Sequence, residues 1–197
     1  MERIKIALTK GRTEDQVVPL LEAAGINCEG LRNKQRRLIF DEDPRYEIIL
    51  VKGPDVLTYL NNGSVQIGIV GSDILTEQEN FQYAMLDLDV GRCRFVLAST
   101  KDFNPQAHRR KIIATKYPNI TKRYFKGIGE DVEIIRIEGS VELAPLIGWQ
   151  TQLLILSKLA IPCEKTTCKY SPNCSPSTPK WLLTAWHLGS ISLRLKH

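Results

Sequence analysis

Residues 132–148, VEIIRIEGSVELAPLIG, contain the most informative pattern of this sequence. The mostly apolar run from Val132 to Ile137 is short and rich in β-branched residues, which predicts a buried strand. Gly139 permits a tight turn, and Ser140, followed by a valine and Glu142, is typical of the cap and first turn of a short helix. A strand that ends at a glycine and a helix N-terminus offers backbone N–H groups to an anion or a sugar hydroxyl. An ordinary strand-turn-helix corner has the same pattern, so the functional interpretation depends on recurrence elsewhere in the chain.

The same arrangement, a strand followed by a polar glycine-containing loop and a helix, recurs three times in the first half of the chain. The preceding strands are predicted at residues 3–8, 46–51 and 65–70. The three loops are Lys10-Gly11-Arg12, Lys52-Gly53-Pro54-Asp55 and Gly71-Ser72-Asp73. Repeated β-loop-α units predict a parallel sheet, whose ligand binds at the carboxyl ends of the strands.

Cations stand at several of these strand ends. Lys10 and Arg12 flank a glycine where a helix begins, so two cations and backbone N–H groups could hold a phosphate there. The spacing is not that of a Walker A loop, and a solvated basic turn fits the residues equally well. Lys116 follows a strand predicted at 111–115, and an ordinary surface lysine is the equal alternative.

Composition limits the classes of function. The net charge is +5, but the excess lies in residues 149–197, where six Lys and Arg residues face one acid, Glu164, while residues 1–148 are balanced. A nucleic-acid-binding surface would place its basic patch on the folded body, so we expect no nucleic-acid partner. No stretch reaches the roughly 18 apolar residues of a membrane helix, so we expect no membrane partner either. The N-terminal stretch lacks a signal-peptide pattern and the five cysteines are odd in number, which favours a cytoplasmic protein.

Metal-ligand spacing is absent from the sequence. The three histidines and the cysteines at 163, 168 and 174 match no common zinc pattern, so we predict no protein-bound metal site.

Five segments together resemble the short form of the ATP phosphoribosyltransferase family, the first enzyme of histidine biosynthesis. The resemblance extends over residues 1–148, which make up about three quarters of the chain. The segments are TKGR at 9–12, VGSD at 70–73, LDLDVGRC at 86–93, ATKYPNITKRYF at 114–125 and EIIRIEGSVELAPLIG at 133–148. The last two are long enough to be highly specific.

The resemblance implies an α/β fold of two lobes, like type II periplasmic binding proteins, with mostly parallel sheets and an active-site cleft. We place the first lobe at 1–90, joined by strand-forming residues of the C-terminal region, and the second at 91–148, extending to about residue 160. Residues 161–197 are an aberrant tail in this division.

The implied reaction condenses ATP with phosphoribosyl pyrophosphate and releases pyrophosphate. Adenine N1 attacks the anomeric carbon, Mg²⁺ accompanies the substrate phosphates, and no general acid or base is assigned because N1 already carries a lone pair. Cations suit the phosphates, whereas Asp73 and Glu142 suit ribose hydroxyls or a metal-bound water. The predicted substrate-binding residues are Lys10, Gly11, Arg12, Lys52, Gly71, Ser72, Asp73, Lys116, Ser140 and Glu142.

The resemblance also implies a partner, because the short form works with a regulatory subunit similar to histidyl-tRNA synthetase. Three alternatives remain open at this stage: a non-catalytic small-molecule-binding module of the same two-lobed fold, a nucleic-acid binder that uses the basic tail, and a structural subunit without turnover. The ATKYPNITKRYF and GSVELAPLIG segments favour the enzyme.

The family pattern stops after Gly148. The family continues roughly as LADAIVDIVETGNTL, with a strand and a Thr-Gly loop that holds the 5-phosphate, whereas this chain continues as WQTQLLILS. The codons that can encode residues 149–163 can also encode LADAIVDIVETGNTL if translation starts one base earlier, at the third base of the Gly148 codon. We therefore expect residues 149–197 to be translated out of frame. In such a tail we expect the apolar segment Leu153–Leu156 to form a strand and residues 166–178 to be poorly ordered. Loss of the 5-phosphate loop should impair binding of phosphoribosyl pyrophosphate.

Overall fold

The computed structural model describes residues 3–78, 84–91, 93–99, 110–147, 149, 152–158, 176–177 and 179–183. These residues form strands and helices that alternate along most of the chain. In order they are β1 (Ile4–Thr9), α1 (Arg12–Ala23), α2 (Glu29–Arg32), β2 (Ile39–Phe40), β3 (Tyr46–Val51), α3 (Gly53–Asn61), β4 (Ile67–Gly71), α4 (Ser72–Gln78), β5 (Ala84–Asp87), β6 (Cys93–Ala98), β7 (Lys111–Thr115), α5 (Pro118–Gly127), β8 (Val132–Arg136), α6 (Leu143–Leu146), β9 (Gln152–Lys158), β10 (Pro176–Ser177) and β11 (Pro179–Leu183).

The chain divides into two compact units. The first holds the described residues up to Gly91 together with β11, and the second holds those from Cys93 to Ser177. Each unit is built on one sheet. No helix within the described ranges combines the length and the apolar character that a membrane crossing requires.

The first sheet has the strand order β2-β3-β1-β4-β11-β5. At its centre β1 runs parallel to both β3 and β4, while β2 and β11 are antiparallel to their neighbours. Ile6, Ala7 and Leu8 of β1 are all fully buried, because helices cover both faces of a parallel sheet. Ile6 and Leu8 belong to the apolar core on one face, and Ala7 belongs to the core on the other.

The second sheet has the strand order β10-β6-β9-β7-β8. Here β7 runs parallel to β8 and β9, and β6 is antiparallel to β9. The predicted strand at Leu153–Leu156 is confirmed as part of β9, where Leu153 and Leu154 are almost fully buried. Within the span 166–178 only Pro176 and Ser177 are described, as β10, so the prediction for the remainder lies outside the described residues.

One predicted helix start was wrong. The helix predicted to be capped by Ser140 begins at Leu143, because the Ser140 carbonyl first closes a turn by accepting the N–H of Leu143 at 3.1 Å. That turn allows Val141 and Ala144, which are 2% and 3% exposed, to enter the core of the second unit.

A buried carboxylate joins two segments of the first unit. Asp43 is 4% exposed and accepts the backbone N–H groups of Asn27 at 3.0 Å and of Arg45 at 2.8 Å. The Arg45 guanidinium also contacts Asp43, and donates to the carbonyl of Gly25 at 2.7 Å. Burial opposes ionisation of Asp43, but the hydrogen bonds from the Arg45 side chain and the two N–H groups outweigh it and lower the pKa to about 2. Asp43 therefore ties the end of α1 to the hairpin of β2 and β3.

We predict that Asp43→Asn lowers the free energy of unfolding by about 2 kcal/mol at neutral pH, because the folded pKa lies below the unfolded value. The stabilisation by the carboxylate is present above the unfolded pKa and is lost as the pH falls towards about 2. Urea denaturation at pH 7, 4 and 3 should show a difference from the unsubstituted protein that shrinks with pH. The exposed Asp131→Asn serves as the control, since its surface pair with Arg110 contributes little. A difference that grows on acidification would contradict the assignment.

Candidate functional site

Three of the predicted loops meet at the carboxyl edge of the first sheet. Thr9 pairs with Val51 in register, and the N–H of Lys10 donates to the carbonyl of Val51 at 3.0 Å. The Thr9 hydroxyl donates to the carbonyl of Ile69 in β4 at 2.9 Å. The ends of β1, β3 and β4 are thereby fixed beside one another, which confirms that the three β-loop-α units share a parallel sheet.

The loop after β1 has a backbone that only glycine adopts without strain. Gly11 has φ +92° and ψ −138° and is the residue that precedes α1. Its N–H donates to the Glu14 carboxylate at 3.1 Å, so this donor is already used within the protein. The first-turn N–H groups of α1 have no acceptor inside the helix and remain the donors suited to an anion.

Sequence reasoning missed two residues beneath this loop. Glu14 is 3% exposed, and its carboxylate accepts both the Gly11 N–H and the Lys34 ammonium, the latter at 2.7 Å. A glutamate three residues after the capping position is a recognisable capping pattern, so Glu14 could have been found. Lys34 lies twenty residues further along the chain, and no local pattern indicates its contact with Glu14.

The loop after β3 places Lys52 at the start of α3. Lys52 is exposed, and its carbonyl accepts the N–H groups of Asp55 at 3.0 Å and Val56 at 3.3 Å. Gly53 is buried, and a side chain there would collide with the end of Ile74 in α4. The glycine thus lets α3 and α4 approach each other at the edge where Lys52 lies.

The loop after β4 brings a carboxylate against a glycine. A Cβ atom at Gly71 would collide with the Asp73 carboxylate, so the absence of a side chain at residue 71 gives Asp73 its position. Ser72 and Asp73 are both half-buried, and the Ser72 carbonyl accepts the hydroxyl of Thr76 at 2.7 Å. An acid therefore lies at the same sheet edge as three exposed cations, Lys10, Arg12 and Lys52.

In the second unit, a buried threonine fixes the strand end before Lys116. Thr115 is fully buried; its hydroxyl donates to the carbonyl of Leu154 at 2.9 Å and accepts the N–H of Tyr117 at 3.0 Å. Its carbonyl accepts the N–H of Ile137 at 3.0 Å. Thr115 therefore links β7 to its neighbours on both sides and holds the backbone on either side of the exposed Lys116.

Ser140 and Glu142 follow β8, the parallel neighbour of β7, and both are exposed. Gly139, which was expected to permit a tight turn, has no positive φ and an open Cβ position, so the conformation observed here does not depend on a glycine. The open backbone at residues 138–140 instead leaves room for a ligand to approach.

The predicted site residues therefore form two groups, one at the carboxyl edge of each sheet. Lys10, Gly11, Arg12, Lys52 and the residues from Gly71 to Asp73 belong to the first unit, whereas Lys116, Ser140 and Glu142 belong to the second. A cavity of about 590 Å³ lies elsewhere in the second unit, between α5 and the start of β8, and no predicted site residue lines it. Among the described residues, no group of three or more His, Cys, Asp or Glu side chains could hold a metal ion.

The fold and the two sheet edges define an α/β protein of two units with exposed cations at the carboxyl ends of its parallel strands, Lys10, Arg12 and Lys52 in the first unit and Lys116 in the second. A family model described as ATP phosphoribosyltransferase matches residues 52–153. An ATP phosphoribosyltransferase of Lacticaseibacillus casei is 58% identical over 173 residues, which cover 88% of this chain and 82% of that protein. One of Lactiplantibacillus plantarum is 69% identical over 147 residues, covering 74% and 67%. The chain belongs to the ATP phosphoribosyltransferase family.

Solved structures confirm the predicted fold class. The ATP phosphoribosyl transferase (HisG:HisZ) complex from Thermotoga maritima matches with a TM-score of 0.74 and 28% identity, covering 92% of this chain and 87% of that chain. The periplasmic VFT2 domain of Bordetella pertussis BvgS matches with a TM-score of 0.55 and 14% identity, covering 92% and 80%. The second likeness concerns the fold alone.

We predict that Gly11→Ala lowers the free energy of unfolding by about 1–3 kcal/mol, because an L-residue is strained at this backbone conformation although the space for a methyl group is open. Gly127→Ala is the matched control, since residue 127 has neither a positive φ nor a neighbour within 4 Å of its Cβ position. Urea denaturation of the two variants measures the difference. Equal stabilities would show that residue 11 does not need glycine.

Proposed function

We propose that this chain is the catalytic subunit of a short-form ATP phosphoribosyltransferase, which condenses ATP with phosphoribosyl pyrophosphate in the first step of histidine biosynthesis. The carrying observation is that a member of this family presents Lys10, Arg12 and Lys52 together at one sheet edge. Both substrates are polyanions, so clustered cations at strand ends suit their phosphates.

The reaction needs orientation more than proton transfer. The lone pair of adenine N1 forms a bond to the anomeric carbon, the bond from that carbon to the pyrophosphate oxygen breaks, and its electron pair leaves with pyrophosphate. Cations stabilise the charge that develops on the leaving group, and fixed binding of the two substrates aligns the attacking and leaving atoms. Lys10, Arg12 and Lys52 serve this role in the first unit, and Lys116 serves it in the second.

The carboxylates of Asp73 and Glu142 are proposed to bind the ribose hydroxyls. Asp73 lies against Gly71 at the same edge as the cations, and Glu142 is exposed beside Ser140. Carboxylates at these positions can accept hydrogen bonds from ribose hydroxyls, and the Ser140 hydroxyl can bind phosphate or sugar oxygens.

Mg²⁺ is proposed to arrive with the substrate phosphates. The lack of a multi-ligand cluster in the described part of the chain agrees with an ion that keeps several waters and binds through one or two carboxylates plus phosphate. Asp73 and Glu142 would hold a water of such an ion, and the ion would neutralise the departing pyrophosphate.

A regulatory subunit similar to histidyl-tRNA synthetase is the proposed protein partner. The support is the likeness to the HisG:HisZ complex of Thermotoga maritima. A cytoplasmic location would suit an enzyme that uses these two metabolites.

We also propose that residues 149–197 are an out-of-frame tail that impairs the enzyme. The family match ends at residue 153, close to the change of pattern after Gly148. In β9, the side-chain oxygen of Gln152 is buried and has no hydrogen-bond partner among the described residues, which is unusual for a selected sequence. The predicted in-frame residue at 152 is alanine, which has no such oxygen to satisfy.

We predict that Lys10→Met and Lys52→Met each weaken binding of magnesium pyrophosphate to the full chain by about tenfold or more, because each removes a charged hydrogen bond to phosphate. Isothermal titration calorimetry measures the affinity. Lys126→Met, an exposed lysine on α5, is the matched control and should bind like the unsubstituted chain. If all three variants bind magnesium pyrophosphate as tightly as the unsubstituted chain, the carboxyl edge of the first sheet is not part of the substrate site.

A second prediction concerns the tail. A chain whose residues after Gly148 are restored to the alternative frame should bind phosphoribosyl pyrophosphate at least about tenfold more tightly than the chain as written, because the 5-phosphate loop returns. Calorimetry measures binding, and pyrophosphate release in the presence of the synthetase-like partner measures turnover. Sequencing of the gene tests whether the tail is out of frame. Codons after Gly148 that do not encode LADAIVDIVETGNTL in the other frame would contradict this. The non-catalytic binding module of the same fold predicts binding without pyrophosphate release from the restored chain.

A further inference from the structure

A buried acid lies directly against the loop that is proposed to hold phosphate. Glu14 is 3% exposed and belongs to the first turn of α1, three residues after Gly11. One of its carboxylate oxygens accepts the N–H of Gly11 at 3.1 Å, and the other accepts the ammonium of Lys34 at 2.7 Å. A negative charge at a helix N-terminus competes with any anion that the same turn binds. Taken alone, Glu14 therefore opposes the binding of phosphate between Lys10 and Arg12.

The backbone around Lys34 is fixed by a turn. The Lys34 carbonyl accepts the N–H of Arg37 at 2.8 Å, and Gln35 within this turn has φ +47°, a conformation that residues with a side chain seldom adopt. The Lys34 side chain is 41% exposed, whereas that of Glu14 is 4% exposed. Lys34 thus neutralises a buried carboxylate while a large part of its own side chain stays in contact with solvent.

We propose that Glu14 and Lys34 are positioning residues of the substrate site. Glu14 fixes the backbone of Gly11, and Lys34 cancels the charge of Glu14 so that the loop accepts an anion. The pair supplies an acceptor for the Gly11 N–H without adding net negative charge beside the phosphate. This inference deepens the proposed function and rests on it, because it takes the phosphate-binding role of the loop as given.

A direct contact between Lys34 and the substrate is the alternative role for this lysine. Movement of its ammonium to a phosphate would leave Glu14 buried, charged and without its ion-pair partner, which is costly. The pair also differs from an ordinary surface salt bridge, since burial of Glu14 reduces the screening that makes exposed pairs weak. The geometry therefore favours a role for Lys34 that acts through Glu14.

The test is isothermal titration calorimetry of magnesium pyrophosphate with the full chain. Lys34→Met should weaken binding by about tenfold or more, because the charge of Glu14 is then uncompensated. Glu14→Gln should bind at least as tightly as the unsubstituted chain, since the amide oxygen still accepts the Gly11 N–H and the negative charge is gone. The double variant Glu14→Gln/Lys34→Met should recover to within about threefold of the unsubstituted chain. Lys34→Arg keeps the charge and should keep the affinity.

A second acid of the same helical turn provides the matched control. Asp15 is exposed, so solvent and salt screen its charge. Lys34→Met/Asp15→Asn should therefore remain as weak as Lys34→Met. A merely structural role of the ion pair predicts the opposite order for the other double variant, because removal of both partners would then bind no better than removal of Lys34 alone.

Three results overturn this assignment: Lys34→Met binds normally, Glu14→Gln alone weakens binding, or the Glu14→Gln/Lys34→Met variant stays weak. The last result would indicate a direct contact between Lys34 and phosphate. If Lys34→Met does not fold, Glu14→Gln and the double variant still decide the question. Weak binding by Lys10→Met together with any of these results would overturn the role of the pair and leave the proposed function intact. An unsubstituted chain that does not bind pyrophosphate would overturn both.

Discussion

Parallel hydrogen bonding of β1 to β3 on one side and to β4 on the other is the constraint on which the first unit depends. The pairing runs in register to the last residue of β1, where Thr9 lies opposite Val51 and bonds to Ile69. Because the chain leaves each strand at the same edge, exposed lysine and arginine side chains are brought to one side of the sheet. Like charges so placed repel one another, and the burial of Ile6, Ala7 and Leu8 in two apolar cores supplies the opposing stabilisation.

The second unit reaches a similar arrangement by a different local device. Its strand ends are joined by a single buried hydroxyl at Thr115, which contacts both β9 and the start of α5. In the first unit the corresponding function is divided between Thr9 and the buried Glu14, which Lys34 contacts. Buried polar groups with complete hydrogen bonding hold the loops around them in one conformation.

Several elements could be predicted from apolar periodicity, because β1, β3, β7 and the helices after them carry strong local patterns. The strand-end loops could be predicted for the same reason, since a loop follows directly from its strand. Contacts between distant segments could not be predicted, because no local sequence pattern indicates them. Lys34 contacts Glu14, and Asp43 joins Asn27 to Arg45.

Predictions also failed where tertiary packing overrides local preference. Ser140 has the chemistry of a helix cap, but the need to bury Val141 delays the helix to Leu143. Local propensity limits the conformations that a residue adopts, and packing in the core selects one of them.

The strand after Gly148 combines a well-packed apolar run with a poorly satisfied polar side chain. Leu153 and Leu154 occupy the core positions between β6 and β7, since hydrophobic length and β-sheet hydrogen bonding are sufficient to extend the sheet. The side-chain oxygen of Gln152 is also buried, and no described residue gives it the hydrogen bond that a buried amide requires. Burial of apolar surface tolerates many sequences, whereas satisfaction of each buried polar atom tolerates few. A strand that meets the first condition and not the second is what an out-of-frame but apolar segment would form.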